Sequence, residues 1–387
     1  MEIARIFDRS VRKPLLRVLL VAGLVWGFTG QAATLIVDND VSHDGGHFVT
    51  IQDALNAAVA GDTIMVLPSQ VSYSGASIGK SVTIMGPGFG GRSVIGPFQD
   101  LHAEVGSLKI LGGVSNVIIT GLKLGVVSIE GERTGRTENG NTVVPGSRFV
   151  SDILIIRNWF VGGDDSISLT GNSNGTLNRL VVVNNDIRGD IGFGGDSYVL
   201  RWTTESFFFN NRIWGRLKFS DVGIGNPRGE SSIVYNYAVI ENNIITGGVE
   251  LGKGRFRNNI VMASSIYNRA TTVSQNVFIG EWPTRYDNFF WGTQLDPPYI
   301  PGVNRLAPAI EDVLKMEGNW WQFWELTEES PARGYASDGG DVGVFGGLHP
   351  WDREQMPPIP YISEFRAPVL VNQGQPIRVE VEIDLNN

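Results

Sequence analysis

"NNDIRGDIGFGG" occupies residues 184–195, and "NNRIWGRLKFSD" repeats its pattern at residues 210–221. In both, two asparagines are followed by an apolar residue two places on and a glycine two places after that. Placing the second asparagine at the origin collects "NVIITG" from Asn116, "NWFVGG" from Asn158, "NDIRGD" from Asn185, "NRIWGR" from Asn211, "NIITGG" from Asn243, "NIVMAS" from Asn259 and "NVFIGE" from Asn276. A strand-like run such as "DILIIR", "RLVVVN", "ESFFFN" or "YAVIEN" precedes each. The unit is therefore a short strand, a turn at Asn, a second short strand and a loop of variable length.

Such a unit cannot bury its own apolar face, so successive units must stack. Short β-branched strands of similar period stack as a parallel β-helix, each coil hydrogen-bonded to the next. In register, Asn116, Asn158, Asn185, Asn211, Asn243, Asn259 and Asn276 are expected to form a ladder inside one turn. Asparagine tolerates the left-handed backbone there, and its amide can bond along the stack. The glycine is expected to release the chain into the next strand.

Composition agrees with many strands and turns. Glycine supplies 49 of 387 residues, spread between apolar runs. No cysteine is present, so thiol catalysis, cysteine-zinc sites and disulfides are excluded. A basic segment, "MEIARIFDRSVRKPLLR", precedes the apolar run Val18 to Phe28 and the small residues "GQAA". This is the pattern of an export signal, expected over residues 1–33 with cleavage near Ala32 or Ala33. The product is then secreted, periplasmic or at the cell surface, with no transmembrane segment left. Losing the signal's five basic and two acidic residues takes the formal charge from −9 to −12. That balance argues against nucleic acid as a partner, because phosphate binding needs clustered Lys and Arg.

"FVTIQDALNAAVAGDTIMVLPS", residues 48–69, followed by "KSVTIMGPGFG" and the Asn-turn coils, resembles the entry to right-handed parallel β-helix proteins of the pectin-lyase-like superfamily. The likeness extends to secreted bacterial members without established activity. Thr50 reads as an N-cap, Ile51, Leu55 and Val59 as one apolar stripe, and Gly61 as the stop. The resemblance implies an all-β, single-stranded right-handed parallel β-helix, a solenoid with an N-terminal α-helical cap, over residues 34–282. An irregular aromatic C-terminal cap is expected over residues 283–356. Residues 357–387 read as a proline-rich break and a terminal strand pair about the turn "NQGQP".

In such a stack, strand residues alternate inward and outward. The sixth residue after the ladder Asn is Ile191, Leu217 and Val249 in three coils, so this position faces inward. The fifth and seventh then face out, presenting Asp165, Asp190, Arg216, Lys218 and Glu250 on one outer face. Carboxylates beside cations suit a polysaccharide: Asp164, Asp165 and Asp190 as candidate catalytic groups, and Arg216, Lys218 and Glu250 as substrate contacts. "GGDDSIS" and "GRLKF" are also similar to motifs of the polygalacturonases. That likeness implies an acid/base role for Asp164 and Asp165 and substrate-carboxylate contacts for Arg216 and Lys218. The histidine motif that such enzymes place between the two is absent. Asp164, at the sixth offset, should face inward unless the turn bulges. The competing reading is an exposed ladder of opposite charges on neighbouring strands.

No cofactor is called for; Ca²⁺ is the one ion these carboxylates could hold. The expected partner is an extracellular polysaccharide, with a uronate-containing one suited to the cations. A polysaccharide-cleaving hydrolase or lyase and a structural or adhesive surface protein stay open as alternatives.

Overall fold

The computed structural model describes residues 32–40, 47–88, 102–131, 136–138, 141–143, 150–171, 177–193, 205–219, 222–224, 232–234, 237–262, 265–280, 284–286, 303–315, 324–351, 360–366 and 380–385. The segment read as an export signal lies outside them up to residue 31. No helix among the described residues is long and apolar enough to cross a membrane.

The chain is all-β, and its pairing is overwhelmingly parallel. Among the described residues, twenty-four strands join one parallel sheet system, accompanied by three two-stranded antiparallel hairpins. One coil shows the plan: Leu177–Val183, a turn, Asp186–Ile187, a second turn, then Asp190–Phe193. Each piece pairs in parallel with its counterpart one coil on, at Glu205–Phe209, Arg212–Ile213 and Leu217–Phe219. Successive coils thus build three stacks, called first, second and third here in chain order within a coil. This is the pairing that a parallel β-helix requires. It continues in the second stack as far as Arg305–Ala307, beyond residue 282.

Alternation decides the interior. Ile155, Val182, Phe208, Ile240 and Phe256 stand in register as one fully buried row of the first stack. Ile187, Ile213, Ile245, Val261 and Phe278 form a row in the second, and Ile167, Ile191, Leu217 and Val249 one in the third. The three rows meet in a single apolar core. Each of these side chains contributes about 1.5–3 kcal/mol by leaving water.

The helix Ile51–Ala57 lies on the first strands, with Ile51, Ala54 and Leu55 buried in that core. The Thr50 hydroxyl accepts from the Asp53 backbone N–H, as an N-cap should. At the other end the Lys80 ammonium donates to the carbonyls of Leu55, Asn56 and Ala58 at 2.9, 3.0 and 2.6 Å. This lysine takes up helix-end carbonyls that no intrahelical N–H can reach.

The asparagine ladder exists, with two changes of membership. It runs Asn158, Asn185, Asn211, Asn243, Asn259, Asn276 and Asn304, each Nδ2 donating to the next Oδ1 at 3.0–3.1 Å. Asn116 is not a rung: it lies within the strand Ser115–Thr120, and Leu122 holds the ladder position in its coil. Asn304, 28 residues beyond Asn276, is the rung that the sequence pattern did not supply.

The left-handed residue is also not the ladder Asn. It is the residue before: Arg157, Asn184, Asn210, Asn242, Asn258 and Gln275, with φ between 50° and 59°. The paired asparagines therefore divide the work. The first turns the chain and the second bonds along the stack.

The glycine that follows has a different cause from the one expected. A Cβ on Gly189, Gly215 or Gly247 would strike the backbone of the glycine one coil earlier. These glycines let neighbouring coils approach at the turn. Gly215→Ala should therefore destabilise by about 1–3 kcal/mol, read as a fall in the urea midpoint at unchanged slope.

The aromatic C-terminal stretch departs from expectation where it is described. Residues 324–351 do not lie over the last coil but run back along the outer side of the second stack. The amide of Asn258 meets the Ser337 hydroxyl, and the amides of Asn242, Asn210 and Asn184 donate to carbonyls of Asp341, of Val344 and Gly346, and of Pro350 in turn. The left-handed asparagines thus form a second row that docks this segment. Beneath it Ile244, Ile260, Val277 and Ala307 pack against Val313, Leu314, Trp324, Leu326, Val342, Val344 and Trp351. The last strand, Glu380–Leu385, pairs antiparallel with Pro360–Arg366, inside the stretch expected as a proline-rich break. Residues 367–379, which hold the "NQGQP" turn, lie outside the described residues.

Candidate functional site

The third stack brings the expected outer-face residues together. Asp190 pairs in register with Asp165, and Lys218 with Gly192 and Glu250. Arg216 precedes the inward Leu217 as Asp190 precedes the inward Ile191, so the two lie one above the other.

Asp165 reaches this column through a longer turn. From ladder Asn to inward Ile the coil of Asn158 takes nine residues against six in the coil of Asn185: two of the three extra residues precede Asp165, and the third makes a register slip between Asp165 and Ile167. Ser166 is that third residue, fully buried, its hydroxyl accepting from the Gly189 N–H at 2.9 Å. Ile167 then takes the inward place. Counting from Asn158 sets Asp165 opposite Gly192 and Asp164 inside; the two extra residues of the turn instead set Asp165 opposite Asp190 and leave Asp164 exposed. The two acidic residues do not converge on the core side of the turn, and Asp190 is the partner that the fold gives Asp165.

Asp190 is the organised member. It is 8 % exposed, and its Oδ1 accepts the Arg216 backbone N–H at 2.6 Å. Its Oδ2 accepts from Arg216 Nε at 2.9 Å and lies 2.8 Å from Arg216 Nη2 and 2.7 Å from Lys218 Nζ. Burial pushes this carboxyl up. The bonds from Lys218 and from the Arg216 backbone and side chain outweigh that and hold it below the usual carboxylate range. Arg216 is pushed up in return, first by its bond to Asp190 and the charge of that carboxylate, with Glu250 and Asp165 adding to the effect.

Chemically, Asp190 cannot serve as a general acid, because it carries no proton to give at neutral pH. Its lone pairs are already taken by four N–H donors, so it is poorly placed as a base. The cations it holds are a different matter. Arg216 is 60 % exposed on its side chain and Lys218 26 %, each with N–H groups beyond those bound to Asp190. The arrangement presents oriented cations flanked by Asp165 and Glu250. Among the described residues no group of three or more His, Cys, Asp or Glu is placed to hold a metal ion.

The long polar insertions "GERTGRTENGNTVVPGSR", residues 131–148, and "DVGIGNPRGESS", residues 221–232, each follow a strand of the third stack and hold or run into short hairpins, Arg136–Glu138 with Asn141–Val143 and Val222–Ile224 with Ser232–Val234. The rest of both insertions lies outside the described residues.

One cluster escaped the sequence reading. Asp186 and Arg212, successive outward residues of the second stack, form a buried ion pair at 2.5 Å, with Arg212 1 % exposed. Trp214 Nε1 donates to the other Asp186 oxygen at 2.8 Å. The Arg212 guanidinium lies 4.8 Å from the Trp351 ring centre and 5.6 Å from that of Trp324. Burial pushes Arg212 down and the Asp186 charge opposes it. The pair lies beneath the docked C-terminal segment and touches it through the two tryptophan rings.

No protein-family model, curated protein or solved structure matches the chain.

Proposed function

We propose that this chain is an exported right-handed parallel β-helix protein of the pectin-lyase-like kind, and that the outer face of its third stack binds an acidic extracellular polysaccharide without cleaving it. The observation that carries this reading is the state of Asp190. It is buried, ionised and bonded to both Arg216 and Lys218, which suits a carboxylate that fixes two cations rather than one that exchanges protons. Oriented guanidinium and ammonium groups recognise a uronate carboxylate by charge-assisted hydrogen bonds. Asp165 and Glu250 on either side offer acceptors for sugar hydroxyls. The export signal and the resemblance of the first coils support an extracellular sugar as the partner.

The test is titration with oligogalacturonate of the chain and of a variant carrying Arg216→Gln, Lys218→Gln and Asp190→Asn, which removes the cations without stranding the carboxylate. We expect the affinity at this face to fall at least about tenfold while the thermal midpoint moves little. Unchanged binding would refute the assignment.

A further inference from the structure

The outer side of the first stack is unusual for a sheet that faces away from the core. Its outward residues Leu154, Ile156, Val181, Val183, Phe207, Phe209 and Val239 are apolar over several coils, but Val183 and Val239 are buried and Phe209 lies 6.0 Å from the His349 ring of the docked segment, so the accessible part is the edge at Phe207, half-buried and 5.8 Å from Phe209. Tyr237, beside them on the neighbouring strand, is 43 % exposed. One coil on, the same positions become Arg255, opposite Val239, and Arg257, opposite Glu241.

Glu241 is buried against both arginines. Its carboxylate accepts from Arg255 Nε, from Arg257 Nε at 2.8 Å and from Arg257 Nη2 at 3.2 Å. The two guanidiniums stay open to solvent, at 43 % and 30 % side-chain exposure. One carboxylate thus fixes two forks and leaves a positive charge on this face of a chain whose formal net charge is −9. Thr272, opposite Arg255 in a following coil, is exposed and adds a hydroxyl.

We infer that this face is a second glycan-binding site, which takes a carboxylate-bearing sugar chain lying along the stack. Phe207 and Tyr237 offer faces to the C–H side of a pyranose ring, and the Arg255 and Arg257 forks take its carboxylate in bidentate fashion. Phe207 and Arg255 are two coils apart, about 10 Å, so aromatic and cationic contacts fall on successive parts of one chain. The charge of the forks argues for an acidic glycan over a neutral one. The inference stands on residues of a different stack from Asp190, Arg216 and Lys218 and does not depend on that site.

The experiment titrates the full chain with oligogalacturonate and maps amide hydrogen exchange with and without it. A variant carrying Glu241→Gln, Arg255→Gln and Arg257→Gln leaves no buried carboxylate unpaired, and Phe207→Ala tests the aromatic contact alone. We expect slowed exchange in residues 205–209, 237–241 and 253–257. We also expect one binding event to be lost in the triple variant and weakened roughly tenfold by Phe207→Ala. Slowed exchange confined to residues 190–193 and 217–219 would overturn this inference and leave the third-stack reading standing. Slowed exchange confined to the first stack would do the reverse. No binding at all would overturn both, and binding of dextran sulfate but not of the uronate at this face would overturn the carboxylate assignment.

Discussion

Replacing Arg212 by Met is expected to destabilise the protein by about 3–5 kcal/mol and to release residues 324–351 from the side of the coil stack. The change leaves the Asp186 side chain 2 % exposed and deprived of its cation, and breaking a buried pair by removing one partner is costly. It also removes the plane on which Trp351 and Trp324 rest. The double change Asp186→Leu with Arg212→Met should recover most of the loss, because it removes both charges together. The check is urea unfolding of the wild type, the single variant and the double variant, with limited proteolysis to read whether the segment comes free. A single variant as stable as the wild type would mean that the pair is not buried as described.

Asn211→Ala is expected to cost about 3 kcal/mol or more, and to act on the coils to either side. Its side-chain oxygen accepts from the Asn185 amide and backbone N–H, both at 3.0 Å, and its amide donates to the Val182 carbonyl at 2.8 Å and to Asn243 at 3.1 Å. All these groups are out of reach of water, so truncation strands at least two of them at about 1–3 kcal/mol each. Asn210→Ala, one residue earlier, strikes a different row. It loses the carbonyls of Val344 and Gly346 and replaces a left-handed residue at φ 53° by one that resists it. Hydrogen exchange separates the two: opening in the strands around Asn211 for the first, and in residues 341–351 for the second.

The coils were legible because register repeats the same physical demand at each level. Ile191, Leu217 and Val249 had to face in, and the ladder residues from Asn158 to Asn276 had to align, as they do. Asn116 misled because a local Asn-apolar-Gly spelling recurs without the turn; its coil makes the turn at Gly121, φ 69°, with Leu122 in the ladder place. Asn304 was hidden because the proline-rich "DPPYIPGV" before it spells no strand-like run. The bulge at Ser166 could not be counted from the sequence, since "GGDD" lengthens the turn without stating which residue is left over.

The docked segment did leave a trace. Ile244, Ile260 and Val277 each follow a ladder Asn and face outward, with Ile245, Val261 and Phe278 inward. Apolar residues on both sides of a short strand mean that something covers its outer face. Asp186 and Arg212 in the same row then had to be covered as well. Which segment would do so is a long-range fact: Asn210 reaches Gly346, 136 residues away. At the third stack, the gathering of Asp190, Arg216, Lys218 and Glu250 followed from alternation alone, whereas the place of Asp165 depended on the longer turn. The capture of Asp190 by both cations did not, because it depends on side-chain rotamers rather than on register.

The most direct test of the central claim is co-sedimentation of the purified chain with polygalacturonate, with and without Ca²⁺, while new reducing ends and the ultraviolet absorbance of unsaturated products are followed. The account predicts retention by the polysaccharide with neither kind of product, and weaker retention once Arg216, Lys218 and Asp190 are neutralised together. Cleavage that disappears with Asp165→Ala, or no retention on any acidic polysaccharide, would contradict it.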